Sequence, residues 1–141
     1  MREYIFQINP VPASRPRVSR YGTYYLPTYR AFKDAMTHII ASEPSIYKRE
    51  QGFLYVDVVC YVQRPAKTVR QTPNGDVDNY AKAVLDSLNG VLWEDDDQIV
   101  FLTVKKVFHE IGCITVKVQD VQIDEEDTVR SVCKKRTRSK R

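Results

Sequence analysis

The 141-residue chain has no apolar run approaching the length of a membrane-spanning helix, which excludes a helical integral membrane protein. Its first residues also lack the apolar stretch and small-residue cleavage site of a signal peptide, so the sequence predicts an intracellular protein. Cysteine is scarce. Cys60, Cys113 and Cys133 are odd in number, far apart and without a Cys-x-x-Cys pair, which argues against a disulfide framework and a zinc site. Cys60 and Cys113 are expected as core thiols. Internal repeats are absent, and 16.4 kDa suffices for one ordinary domain but not two. With 43% hydrophobic and 28% charged residues, the chain has the composition of a globular protein and not of a disordered one.

The formal charge of +4 hides an uneven distribution. Residues 134–141 carry six of the 22 Lys and Arg, and without them 16 basic residues face 18 acidic ones. The body is polarised as well. Arg15 to Arg70 holds ten basic and four acidic residues, whereas Asp76 to Asp97 holds seven acidic residues and one lysine. Such a division suits a polyanion bound along one surface, with cations held at a separate acidic spot.

Tyr4 to Ile8 reads as a strand stopped by Pro10 and Pro12, and a short hairpin turns near Gly22. The spacing of Phe32, Ala35, Met36, Ile39 and Ile40 predicts a helix from Pro27 to about Ala41. Phe53 to Val62 is rich in β-branched and aromatic residues, as strands are. Arg64 to Gly75 is a polar loop, suited either to closing on a substrate or to a plain solvated connection. A second helix is expected from Val77 to Leu88, with Ala81, Val84, Leu85 and Leu88 as its buried stripe, followed by strands Gln98 to Phe108 and Ile111 to Val118 joined by a turn. The order β-loop-α-β-α-β-β, closing on an antiparallel pair, predicts an α+β fold: a mixed β-sheet with two main helices packed mainly on one side. The domain is expected over residues 1–121, with a charged, disordered tail over 122–141.

The informative segment is Gly75 to Val100. On the second helix Asp78, Lys82, Asp86 and Asn89 fall on one face, and Asp76 lies just before its first turn. Taken singly, each residue has a structural account: Asp76 or Asp78 as an N-cap, Asp78 and Lys82 as an i, i+4 ion pair, Glu94 to Asp97 as a solvated turn. Taken together, four consecutive carboxylates repel one another, and a divalent cation relieves that cost. Carboxylates without accompanying His or Cys suit a hard ion such as Mg²⁺ or Mn²⁺. Asp76 does not open a calcium loop of the helix-loop-helix type, since Ala81 stands at its sixth position and Ser87 at its twelfth.

Asp76-Val77-Asp78-Asn79-Tyr80-Ala81-Lys82, followed by Asp95-Asp96-Asp97-Gln98, resembles the signature of the RusA family of Holliday junction resolvases, Asp-x-Asp-Asn-x-x-Lys and then Asp-Asp-x-Gln. Arg15-Pro16-Arg17 and Tyr24-Tyr25-Leu26-Pro27 also resemble that family, and the likeness spans roughly residues 4–119. It implies a homodimeric, Mg²⁺-dependent endonuclease acting on four-way DNA junctions in recombination, repair or phage DNA processing, in bacterial cytoplasm or a phage-infected cell. Asp76, Asp78 and Asp96 would be the metal-binding carboxylates and Lys82 the catalytic cation. The roles of Asp95 and Asp97 stay open, because the register rests on Gln98. Some relatives carry basic residues just before the first Asp, where this chain has Asn74-Gly75. Candidate phosphate contacts are Arg15, Arg17, Arg20 and Lys33, with Arg64, Lys67 and Arg70 in the loop, and the basic tail adds salt-sensitive attraction. The alternatives are a Mg²⁺-dependent nuclease for other branched or duplex DNA, and a non-catalytic DNA-binding protein.

Overall fold

A computed structural model describes residues 1–24 and 26–123. Residues 124–141, with Cys133 and the basic tail, lie outside the described residues, as do Tyr25 and the side chains of Arg17 and Tyr24. In chain order the elements are β1 (Arg2–Phe6), β2 (Arg17–Ser19), β3 (Gly22–Tyr24), α1 (Pro27–Ser42), β4 (Leu54–Gln63), α2 (Val77–Leu88), β5 (Ile99–His109) and β6 (Cys113–Asp120). Short 3₁₀ turns occupy Pro44–Ile46 and Asp96–Gln98. The fold is α+β, with the expected two helices and mixed sheet.

Alternation along β4 determines where the core lies. Leu54, Val56, Val58 and Cys60 are fully buried, while Tyr55, Asp57, Val59 and Tyr61 between them are only partly so. The buried set packs with Phe6 of β1, with Ile114, Val116 and Val118 of β6, and with Phe32, Met36, Val84 and Leu88 of the helices. One sheet face thus carries both helices. On α1, Tyr29 joins Phe32 and Met36 in the core, whereas Ala35, expected there, is exposed. On α2, Ala81, Val84 and Leu88 are buried as the spacing predicts, together with Tyr80 and Ala83, and Leu85 is half-buried. Cys60 is a core thiol, its pKa pushed up to about 12 by burial, while Cys113 is only partly buried.

The expected antiparallel pairing of the last two strands is incorrect. The sheet order is β1-β6-β4-β5: β5 runs parallel to β4 along its whole length, and β6 lies antiparallel between β4 and β1. Residues 110–112 therefore cross the end of β4 instead of closing a hairpin. Two contacts explain why. The Asn9 side chain accepts the Gln63 N–H at 2.7 Å at the end of β4, and Gly112 packs so closely on Asn9 that an added Cβ would lie 2.5 Å from its Cα. The crossing needs a residue without a side chain where the chain passes over Asn9, and a sequence pattern does not reveal that neighbour. The hairpin at Gly22 is present, formed by β2 and β3.

Gly112→Ala must displace the Asn9 backbone, and overpacking of this kind costs about 1–3 kcal/mol. Urea unfolding should show that loss, with the midpoint lowered and the slope unchanged.

Candidate active site

Three segments deliver the acidic residues. The first is the turn Pro73 to Asp76. Gly75 adopts φ +102°, and an added Cβ would meet Pro12 Cγ at 2.9 Å and the Tyr80 ring at 3.3 Å, so the approach to Asp76 is tolerant of glycine alone. This explains in steric terms why no basic side chain stands directly before Asp76. A cation reaches the turn from elsewhere: Lys106 of β5 donates to the carbonyls of Pro73 at 2.9 Å and Gly75 at 2.5 Å. Lys106 pairs in register with Cys60 on the helix-bearing face. The sequence holds one hint of it, since Lys105 and Lys106 are adjacent within an apolar strand and alternation must turn one toward the core.

The second segment is α2. Asp76 occupies its N-cap position, with extended backbone, yet its side chain makes no capping hydrogen bond. An Asp cap typically contributes about 1 kcal/mol, and the helix forgoes it. The Asp78 carboxylate accepts no hydrogen bond and joins no ion pair among the described residues. Lys82 instead pairs with Asp86, Nζ to Oδ2 at 3.0 Å. With 62% of the Lys82 side chain exposed, that pair adds little stability and acts chiefly to orient the ammonium. The structural accounts of Asp76 and Asp78, as a capping carboxylate and as the partner of Lys82, thus find no bond to rest on.

The third segment is Trp93 to Gln98. Trp93 is completely buried, and its indole N–H donates to Asp96 Oδ1 at 2.6 Å. The Asp96 backbone N–H donates to the side chain of Asn89 at the end of α2, 3.0 Å away. Asp95 caps the 3₁₀ turn, accepting from the Asp97 N–H. Gln98 Oε1 accepts from the backbone N–H groups of Glu94 and Asp95, and Gln98 Nε2 donates to the carbonyls of Glu50 and Gly52. The three consecutive acids accordingly differ: Asp95 is a structural cap, Asp97 is exposed, and Asp96 is held half-buried against the core. Burial raises the Asp96 pKa, and the nearby Asp86 and Asp95 carboxylates add to that, while the Trp93 hydrogen bond and Lys82 oppose it.

The face of α2 bearing Lys82, Asp86 and Asn89 therefore meets Asp96. Asp76 and Asp78 sit at the helix's other end, and among the described residues no three acidic, His or Cys side chains stand close enough together to hold a metal ion. The chemistry of the donors nonetheless fits a hard divalent cation: oxygen ligands only, two of them unengaged among the described residues and the third with its pKa raised by burial. Of the candidate phosphate contacts, Arg15 is exposed beside the Lys82 face, and Lys33 lies over the Tyr29 ring at 5.4 Å. Arg20 lies over Tyr21 in the β2–β3 hairpin. Arg64 stacks over Phe108 and reaches the Arg70 carbonyl, Arg70 donates to the Thr72 carbonyl, and Lys67 is exposed in the same loop.

Ionising Asp96 costs more in the folded protein than in the unfolded chain, because its folded pKa is the higher. The stability it contributes is present below its ordinary value of 3.8 and lost as pH rises through the raised one. In metal-free buffer at neutral pH, Asp96→Asn should therefore melt at or above the wild-type temperature, and the difference should vanish as the pH is lowered below that range. A melting series against pH checks this.

An uncharacterized protein of Bacillus subtilis (strain 168), YqaN, is 30% identical over 129 residues, covering 79% of this chain and 91% of its own length. The family described as endodeoxyribonuclease RusA matches residues 7–119, a span that runs from the end of β1 to the end of β6 and contains every acidic residue of the site. The chain belongs to the RusA endodeoxyribonuclease family.

Proposed function

We propose that the protein is a Mg²⁺-dependent endonuclease that resolves four-way DNA junctions by paired, symmetric nicks, with Mn²⁺ as a workable substitute. The observation that carries this reading is the unused pair at the start of α2. Asp76 stands at a cap without capping, and Asp78, unpaired among the described residues, lies about one helical turn from an oriented lysine. Carboxylates that gain nothing from the fold are explained by a ligand, and family membership supplies its class.

In this reading Asp76, Asp78 and Asp96 would be the carboxylates that hold the ion. When bound, Mg²⁺ lowers the pKa of water and offsets charge on the phosphate. Lys82, held by Asp86, places its ammonium at the phosphate oxygen on which charge develops. Lys106 keeps the Pro73–Gly75 carbonyls fixed, and with them the backbone that presents Asp76. The products carry 5′-phosphate and 3′-hydroxyl ends.

Paired nicks require two sites related by the junction's own symmetry, and a two-fold dimer of this chain supplies them. The sheet face opposite the helices supports such an assembly. Ile5 and Phe101 on it are each 53% exposed, and Phe101 stacks with Tyr55, ring centroids 4.5 Å apart. Val59, Tyr61 and Val107 extend the same face by register. Asp57, Thr103, Lys105, Thr115 and Lys117 stand among them on that face, and a mixed surface with exposed aromatic and aliphatic side chains of this kind is one that a second copy would cover.

On a labelled four-way junction in Mg²⁺, the wild type should produce paired symmetric nicks, and Asp78→Asn and Lys82→Ala should lose at least about 100-fold in rate while still binding the junction. Tight binding without cleavage in Mg²⁺ or Mn²⁺ would leave a non-catalytic DNA-binding protein, and equal cutting of linear duplex would remove the junction preference. Lys106→Met should weaken Mn²⁺ binding, read by paramagnetic resonance of the free ion, with its melting temperature reported alongside. Phe101→Asp should run as a monomer in light scattering and release single, unpaired nicks.

A further inference from the structure

Beside the Lys82 face lies a cavity of about 240 Å³. Its walls come from the segment after β1 and from the two helices. Ala13 and Pro16 form one side, the ring of buried Tyr29 another, and Asn79, Lys82 and Asp86 of α2 the third. The cavity is preformed. The Ala13 N–H donates to the Asn79 carbonyl at 2.8 Å, and Pro12 packs against Gly75, so the Pro12–Pro16 segment is strapped onto the first turn of α2.

Two polar side chains on these walls make no hydrogen bond among the described residues. Ser14 Oγ is buried and has no hydrogen-bond partner among the described residues. The Asn79 side-chain amide makes no hydrogen bond there either, although the residue's backbone N–H and carbonyl are both used. A hydroxyl desolvated without a partner is destabilising, and native structures rarely keep one without a reason. An amide offers a donor and an acceptor side by side, the pairing that the edge of a nucleobase presents. An aromatic and proline lining with a few convergent polar groups is the make-up of a small-ligand pocket. The Asp86 carboxylate on the wall repels a phosphate, which leaves the base and sugar as the part of a nucleotide that fits, while the phosphate stays outside at Lys82 and Arg15.

We propose that this cavity seats one unstacked nucleotide next to the phosphate to be cut, read by Ser14 and Asn79. The inference rests on the nuclease reading above and adds to it a site for local sequence preference: a branch point already leaves bases poorly stacked, which lowers the cost of moving one into a pocket. Ser14 and Asn79 are positioning and specificity residues in this account, set apart from the metal-binding carboxylates.

The test uses the full chain carrying Asp78→Asn, bound to four-way junctions with 2-aminopurine placed in turn at each nucleotide flanking the cut. Fluorescence should rise severalfold at one position, as expected when that base leaves the stack, and Ser14→Ala with Asn79→Ala in the same background should abolish the rise. In the cleavage-competent protein, an abasic residue at that position should slow cutting roughly tenfold, the size of one lost base contact, and the double variant should cut normal and abasic junctions equally. Ser14→Ala alone should not lower the melting temperature, since Oγ holds nothing in the free protein; a clear loss would mark a structural role and overturn the proposal. It is overturned equally by the absence of a rise at any flanking position, or by a rise that the double variant retains. If the wild type cuts no junction at all, the nuclease reading falls, and the fluorescence result still decides whether the cavity takes a base.

Discussion

The burial of one face of β4 is the constraint on which the site depends. Its alternating Leu54, Val56, Val58 and Cys60 fix which side of the sheet accepts α2, and α2 in turn fixes where Asp78, Lys82 and Asp86 stand. Trp93 extends the same core to the loop beyond the helix, and its indole carries that order to Asp96. No functional side chain is held by surface pairing alone. Asp78, Lys82 and Asp86 each stand within two residues of a buried side chain of α2 and Asp96 is bonded to buried Trp93, which is how a site with exposed charges gains a defined geometry.

The site is also where the chain departs from locally favourable choices. An aspartate at a helix cap that does not cap, a carboxylate whose ionisation burial and two like charges oppose, and a buried hydroxyl without a partner among the described residues each run against stability. Elsewhere the local rules are followed closely: Asp95 and Gln98 form a reciprocal cap around their short turn, and proline opens α1. Such a concentration of exceptions in one neighbourhood is the pattern expected of a functional region.

Much of this was legible in the residues. Helix α2 has the limits its spacing predicts, and the face on which a helical wheel sets Lys82, Asp86 and Asn89 is the one that meets Asp96 in the structure. Gln98 does pin the acidic run, for the concrete reason that its amide bonds four backbone groups. The illegible parts all depend on long-range neighbours. Strand order could not be read, because an apolar strand fits equally beside β6 or β4 until Gly112 meets Asn9. Lys106 gave little sign of serving a turn more than thirty residues away. The separation of Asp96 from Asp76 and Asp78 was hidden as well, since a motif records order along the chain and not distance across it.

The position of β5 at the sheet edge has a consequence for when the protein is dangerous to DNA. Asp76 and Asp78 follow β4 in the chain, whereas Asp96 and Lys106 belong to β5 and its approach. The parallel pairing of β4 with β5 is a non-local contact, and such contacts form late because a long connection must close first. Until that strand docks, the loop carrying Asp96 is not anchored on the sheet and the turn before Asp76 lacks the Lys106 clamp. Folding itself is thus a safety catch: a nascent chain, or one whose edge strand has opened, holds all the candidate residues without the arrangement that the folded chain gives them.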